Sequence, residues 1–294
     1  MSVLHPIEIP NNLPMILSFI ILTKNEELNL ATCLDSLQSL KAPVFIVDSG
    51  STDATVAIAK SYGCEVVEHP FINQAQQLNW ALANLKIDSD WVMRLDADER
   101  LTPELAAELL TALADAPPQI SGYQAKRRVY FMGKWIRHGG YYPIWLLRVW
   151  RQGKAVCELR CMDEHMLLTE GSLGSLKFDF IDDNRKDLTF WTDKHNLYSD
   201  REVEDLLNQA PDQLLQDSSG KLQQQSRQKR WLKKNLYGNL PLFTRPFLYF
   251  IYRYIFQLGF MDGRTGLVFH FLQGFWYRFL IDAKLYQHQI GRQV

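Results

Sequence analysis

Residues 92–99 read Val92-Met93-Arg94-Leu95-Asp96-Ala97-Asp98-Glu99, an apolar run that ends in two carboxylates one residue apart. Side chains alternate between the faces of a strand, so a strand through this run points Asp96 and Asp98 the same way. Two carboxylates aimed together at an open strand end repel unless a cation sits between them. Hard divalent cations take oxygen ligands, and Mg²⁺ uses one or two carboxylates plus substrate phosphates. The chemistry on offer is the handling of a phosphorylated substrate through a cation. The same stretch also suits a solvated helix start, since Asp98, Glu99 and Thr102-Pro103-Glu104 are N-terminal residues. On spacing alone both readings stand.

A strand must deliver these carboxylates, and the chain around them has a strand-then-helix rhythm. Apolar runs at 15–22, 44–47, 65–68 and 91–95 predict strands, and helical spacing predicts helices at 25–40, 54–62, 74–85 and 103–114. Alternation of this kind predicts an α/β fold with a mostly parallel sheet covered by helices on both faces. Ligands of such sheets bind beyond the carboxyl ends of the strands. After residue 122 the rhythm changes. Strands are predicted at 122–131 and 144–150, joined through the turn-rich His138-Gly139-Gly140-Tyr141-Tyr142-Pro143, and a helix at 190–207.

Two further strand ends carry polar groups. Leu22-Thr23-Lys24-Asn25-Glu26-Glu27 follows the first strand, and Asp48-Ser49-Gly50-Ser51-Thr52-Asp53 follows the second. The second suits helix capping. It also suits nucleotide binding, with Asp48 accepting from a base or ribose and Gly50 allowing close backbone approach. The G-x-G-x-x-G fingerprint of dinucleotide binding is missing after the first strand, and there is no Walker motif. Phosphates would then not be held by a glycine loop, which favours a cation at Asp96 and Asp98.

These stretches together resemble glycosyltransferase family 2. The resemblance rests on residues 15–27, 47–53 and 95–99 in order and spacing, with Asn73-Gln74-Ala75-Gln76-Gln77-Leu78-Asn79-Trp80-Ala81 between the last two. It covers roughly residues 15–200, and within the family it is strongest to bacterial enzymes that extend lipopolysaccharide core or exopolysaccharide. It implies the GT-A fold (a mostly parallel, Rossmann-like sheet sandwiched by helices), a nucleotide-sugar donor, a divalent cation (Mn²⁺ or Mg²⁺) and inversion at the anomeric carbon. By position, Thr23, Asn25 and Glu26 would line the nucleoside pocket and Asp48 would bind the base, most simply the N–H of uracil. Lys24 replaces an aromatic often found beside the base. Asp96 would lie near ribose and metal, with Asp98 the direct metal ligand. The resemblance also sets the catalytic base near Cys161-Met162-Asp163-Glu164-His165-Met166, where Asp163 and Glu164 face opposite ways in a strand, and Glu164 is the preferred choice. It puts His138-Gly139-Gly140 where GT-A enzymes keep a glycine loop near the donor sugar. Lys194 would meet phosphate and His195 would complete the metal site.

The remaining features bound the setting. The 294 residues carry a formal net charge of −1, so global charge gives no argument for nucleic acid. Four scattered cysteines form no disulfide or zinc framework, which suits a reducing, cytoplasmic compartment. Residues 1–14 have three prolines and no basic run, and read as an extension rather than a signal peptide. The catalytic domain is expected over 15–208 and a polar linker over 209–228. A C-terminal helical extension, aromatic and basic, is expected over 229–294. There Arg227-Gln228-Lys229-Arg230-Trp231-Leu232-Lys233-Lys234 precedes aromatic runs broken by arginines. No uncharged apolar segment approaches the roughly 20 residues needed to span a bilayer. Basic residues among aromatics suit helices lying in an anionic headgroup layer on the inner face of the plasma membrane. They also suit a subdomain packed on the catalytic domain. The expected activity is transfer of a sugar, from a UDP-sugar by preference, to a saccharide or lipid-linked saccharide. The rivals are a sugar-nucleotide pyrophosphorylase-like enzyme, which normally opens with a glycine-rich loop, and a non-catalytic membrane scaffold.

Overall fold

The first apolar run is buried on both faces: Phe19 and Ile21 pack on one side and Ile20 on the other, all fully shielded. Only a central strand of a covered sheet needs this. In a computed structural model, which describes residues 16–159, 165–207 and 240–291, the run is β1 (Leu17–Thr23). It pairs in parallel with β2 (Val44–Asp48) on one side and β4 (Trp91–Asp96) on the other. Register aligns Thr23 with Asp48 and Leu22 with Asp96, so three of the polar strand ends emerge together. β3 (Glu65–Glu68) extends the parallel half.

The helices that cover this half follow from caps and apolar faces. α2 is Thr55–Ser61. α3 (Gln74–Asn84) is capped by Asn73, whose side chain accepts from the Gln76 amide, and it seats Ala75, Leu78 and Ala81 against Ile20, Val47 and Val92. α4 (Pro103–Ala114) starts at Thr102, which accepts from the Leu105 amide, with Pro103 at the first position. The predicted helix over 25–40 is much shorter: α1 is Leu30–Asp35, followed by a 3₁₀ turn Gln38–Leu40. Asn25 sits at φ 54°, outside the helical region, because residues 25–27 are turned onto the β2–α2 loop. β4 also ends sooner than the alternation requires. Asp96 is its last residue, and Ala97-Asp98 is a turn into β5 (Glu99–Leu101).

The second half completes a nine-stranded sheet in the order β3-β2-β1-β4-β8-β6-β11-β5. Its members are β6 (Ile120–Phe131), β8 (Ile144–Arg151) and β11 (Ser172–Asp182), with β7 (Lys134–Trp135) folded against β6. β8 runs antiparallel to β4 and β6, and β11 runs parallel to β6. β9 (Ala155–Cys157) and β10 (Met166–Leu168) form a small separate pair. α5 (Leu188–Leu207) starts two residues before its predicted position.

Two helical rods follow. The first is α6 (Thr244–Ile251), continued by a π-helical segment Tyr252–Phe256. A 3₁₀ turn, Gly259–Asp262, leads to the second rod: α7 (Gly263–Phe269), a π segment His270–Trp276 and α8 (Tyr277–Gly291). The rods pack inward. Phe269 joins Phe131 and Ile136, and Tyr277 and Ile281 join Val203 of α5. Among the described residues, no helix is long and apolar enough to cross a membrane. The predicted linker at 209–228 and the basic run at 227–234 lie outside the described residues.

Candidate functional site

A cleft of about 980 Å³ opens at the carboxyl ends of β1 and β4. It is walled by the β6–β7 turn, by residues 182–187 after β11, by α5 and by the second rod through Phe269 and Gln273. Thr23, Glu26, Asp96, Asp98, Lys194 and His195 all line it. Asn25 and Asp48 do not. Asp163 and Glu164 lie outside the described residues.

Asn25 and Asp48 build the turns behind the cleft wall. Asp48 is 2 % exposed and its carboxylate accepts four hydrogen bonds. They come from Thr23 Oγ1 at 2.8 Å, the Gly50 amide at 2.9 Å, the Ser51 amide at 2.7 Å and Ser51 Oγ at 2.6 Å. A carboxylate offers about four acceptor sites, so this one is filled from within the protein. Gly50, at φ +79°, makes the turn that aims two amides at it. Asn25 accepts from the Thr52 amide at 2.8 Å and gives its own amide to Ser51 Oγ at 2.8 Å. Lys24 donates to the carbonyls of Ser49 and Gly50. Glu26 is held by Lys186 Nζ and Asn29 Nδ2, each at 2.7 Å, and burial raises its pKa against those two contacts.

The acidic floor is electrostatically divided. Burial works to raise the Asp96 pKa, but the guanidinium groups of Arg94 and Arg148 outweigh it and hold Asp96 at about 2. Arg94 reaches Asp96 Oδ1 at 3.2 Å through Nη2, and Arg148 Nη2 stands 3.9 Å from Oδ2. Asp98 accepts from Asn184 Nδ2 at 2.8 Å, and its carbonyl accepts from the Asp183 amide at 2.9 Å. Asp182, the last residue of β11, ion-pairs with Arg127 at 3.3 Å. Burial raises its pKa to about 6; Arg127 opposes this and the charge of Asp98 adds to it. The motif reading missed Asp182, although Asp182-Asp183 ends an alternating strand much as Asp96 does.

Opposite these acids stands Lys194. Burial works against its charge, yet Tyr198, Asp98, Asp182 and Glu26 together hold it protonated well above the ordinary lysine value. Among the described residues its ammonium has no hydrogen bond or ion pair within 4 Å; the rings of Phe190 and Tyr198 flank it at 5.9 and 5.6 Å. A partly buried cation in a polar cleft with no such partner among the described residues has the charge and the room to pair with an anion. His195 is a different case. Its ring stacks on Trp191 at 3.5 Å, and its Nδ1 donates to the Trp191 carbonyl at 2.8 Å. Burial depresses its pKa to about 4, so the ring is neutral, and the Gln273 side chain of the second rod hydrogen-bonds to it.

Asp96, Asp98 and His195 share the cleft without being gathered. Among the described residues, no three His, Cys, Asp or Glu side chains are close enough together to hold a metal ion. The carboxylates still fit a hard divalent cation by donor type, and the raising of Asp182 by burial and by the charge of Asp98 marks an acidic pocket that a cation would relieve. The glycine loop is anchored by the rods. Asp262 accepts from the amides of Arg137 (3.1 Å) and His138 (2.9 Å) and from His138 Nδ1 (2.7 Å). Gly139, at φ +66°, leaves room for His270, which a Cβ there would meet at 2.0 Å.

The chain is 34 % identical over 171 residues to the lipopolysaccharide core biosynthesis glycosyltransferase LpsC of Rhizobium meliloti, covering 55 % of this chain and 60 % of that one. It is 35 % identical over 118 residues to an uncharacterized glycosyltransferase of Rickettsia typhi, covering 40 % of each. The chain thus spans less than two thirds of the length of these relatives. Among solved structures, mannosyl-3-phosphoglycerate synthase from Rubrobacter xylanophilus matches with a TM-score of 0.33 and 23 % identity over 39 % of this chain and 40 % of that one. The family model described as glycosyl transferase family 2 matches residues 18–168, from β1 through β10, and the ends of β1, β2 and β4 fall inside the match. That span is more than half of the 294 residues, and the chain belongs to glycosyl transferase family 2.

Proposed function

We propose that this family member is an inverting glycosyltransferase that moves a sugar from a nucleotide-diphosphate sugar, most simply a UDP-sugar, onto a saccharide or lipid-linked saccharide of the cell envelope. The observation that carries the reading is the unpaired Lys194 ammonium facing Asp98 and Asp182 across one cleft. A diphosphate with a divalent cation satisfies both signs at once. The likeness to LpsC supports an acceptor of the lipopolysaccharide-core type.

In this reading Thr23 and Glu26 border the nucleoside, and Asp98 with Asp96 would hold Mn²⁺ or Mg²⁺. When bound, the cation neutralises charge that develops on the departing diphosphate. Lys194 takes up the rest as a point charge. The acceptor hydroxyl oxygen forms a bond to the anomeric carbon from the face opposite the diphosphate. The bond from that carbon to the diphosphate oxygen breaks, and its electron pair leaves with the phosphate. The hydroxyl proton passes to a carboxylate, assigned to Glu164 with Asp163 as the alternate. Asp48 acts from behind the wall: its bonds to Thr23 and to the Gly50–Ser51 turn fix the loop that borders the base. The enzyme works at the cytoplasmic face of the plasma membrane, as a peripheral protein.

The test is nucleotide release from a panel of UDP-sugars with Mn²⁺, Mg²⁺ or chelator. Cation-dependent release is expected, and Asp98→Ala should lower it about 10²–10³-fold, the several kcal/mol a catalytic cation supplies. No release from any nucleotide sugar, or full activity in Asp98→Ala, rejects the reading.

A further inference from the structure

The outward side of the two rods is apolar, and among the described residues nothing covers it. On the first rod, Phe247, Leu248, Tyr252, Ile255 and Phe256 are exposed, Phe256 by 71 %. The other four lie three to five residues from Tyr252, which sets them along its side, and the i→i+5 winding of the π segment keeps that side continuous. On the second rod, Leu267, Val268, Phe271 and Phe279 repeat the pattern. Ring contacts join the two stripes. Phe250 meets Phe271 at 6.2 Å and Phe275 at 6.4 Å, and Phe275 meets Phe279 at 5.7 Å. The turn between the rods adds Leu258, Phe260 and Met261, each about half exposed. A large aromatic covers about 150–250 Å², so half-exposed side chains in this number exceed the few hundred Å² that a monomer leaves as one apolar patch.

Charge decides what covers this face. Residues 240–291 contain two acids, Asp262 and Asp282, and both are buried and consumed internally. Asp262 holds the glycine loop, and Asp282 pairs with Arg245 and accepts from the Phe243 amide at 2.8 Å. The exposed surface of the described rods therefore carries no carboxylate. Arg264, beside the Phe260-Met261 corner, is exposed, and so are Lys134 and Arg137 on the β7 hairpin bound to that corner. An apolar face edged by cations and free of acids complements an anionic bilayer.

We propose that this two-rod aromatic face, led by the Leu258–Met261 corner, lies in the headgroup layer of an anionic bilayer and presents the cleft to a saccharide carried on a lipid of that bilayer. The coupling is structural. The second rod exposes Leu267, Val268 and Phe271 outward while its Phe269 and Gln273 wall the cleft. Met132, 66 % exposed at the tip of the β6–β7 turn, lines the cleft mouth next to the same corner. The membrane thus sets the height at which an acceptor sugar enters. The lipid-linked acceptor rests on the transferase reading above; the bilayer contact itself does not.

Flotation of the full chain with phosphatidylcholine vesicles, with and without phosphatidylglycerol, tests it. Wild type should float with the anionic vesicles and retain part of that binding at high salt. Phe247→Ser/Phe256→Ser should lose at least tenfold in partitioning with an unchanged unfolding midpoint and unchanged UDP-sugar hydrolysis. Arg264→Glu should weaken binding at low salt only. Flotation of the double serine variant equal to wild type overturns the proposal. So does a wild-type dimer that the same variant converts to monomer while wild type ignores vesicles, since the face would then be a self-association surface. Absence of hydrolysis in every protein, with flotation intact, would reject the transferase reading and leave the bilayer contact standing.

Discussion

The turns at the ends of β1 and β2 and the two C-terminal rods both border the cleft, yet they are held on different terms. In the turns, polar groups satisfy one another: Asp48 accepts four hydrogen bonds, and Asn25, Ser51 and Asp53 close the remaining amides. The rods are held by ring packing and by a few buried charges, chiefly Arg245 with Asp282 and Asp262 with the glycine loop. A saturated polar network fixes a backbone shape and leaves little free valence for a ligand. A rod with a packed inner side and an open outer side keeps a surface for something else to cover. Among the described residues, the difference leaves unsatisfied groups at Lys194 on α5 and on the outer side of the rods, the two places proposed above for recognition.

Breaking the anchors of the rods should give the largest effect. Arg245→Ala leaves Asp282 buried without its cation, which costs about 3–5 kcal/mol; urea unfolding should show it as a lower midpoint or as early loss of the rods. An unchanged midpoint would mean that the pair does not hold the rods. Next comes Lys194→Met. It removes the unpaired charge while keeping the stem, and should lower UDP-sugar turnover about 10–100-fold, the worth of a hydrogen bond to a charged group at about 1.5–3 kcal/mol. The unfolding midpoint should change little, since among the described residues the ammonium has no hydrogen bond or close ion pair to lose.

A pH series separates the two regions. Burial, reinforced by the charge of Arg253, holds His270 down at about 4, below its ordinary 6.5. The unfolded chain therefore takes up a proton first as pH falls. Stability from this group is complete above pH 6.5 and is lost progressively between 6.5 and 4, by on the order of 2–3 kcal/mol. His270→Phe should flatten the stability profile over that window; a profile identical to wild type would place the acid sensitivity elsewhere. The smallest change is expected in the turns. Asn25→Gly keeps the positive φ and loses one amide acceptor, for about 1 kcal/mol in thermal unfolding, and Asn25→Ala should cost more because Ala resists that conformation.

Much of the sheet half was legible in the sequence. The residues 65–68 and 103–114 form the strand and helix predicted, and the other early elements differ by a few residues at their ends. Helix 25–40 failed because its first residues serve a loop about 27 positions away, and propensity carries no sign of that service. The turn at Ala97-Asp98 replaced the expected strand extension, because β5 must swing away to pair with β11.

The sequence by itself determined where the strands stop and which polar residues stand at their ends. Side-chain alternation, caps and turn residues act over a few positions, so local chemistry is enough to place them. Only the tertiary structure decided which of those groups remain available. Lys186 reaches Glu26 across 160 positions, and Asp262 reaches the Arg137 amide across 125. Asp48 was turned inward by its own loop, and Asp182 was brought to the acids from the far end of another strand. Burial and neighbouring charge, which set the Asp182 and His195 pKa values and keep Lys194 protonated, arise from folding together segments whose separation along the chain conceals their contact.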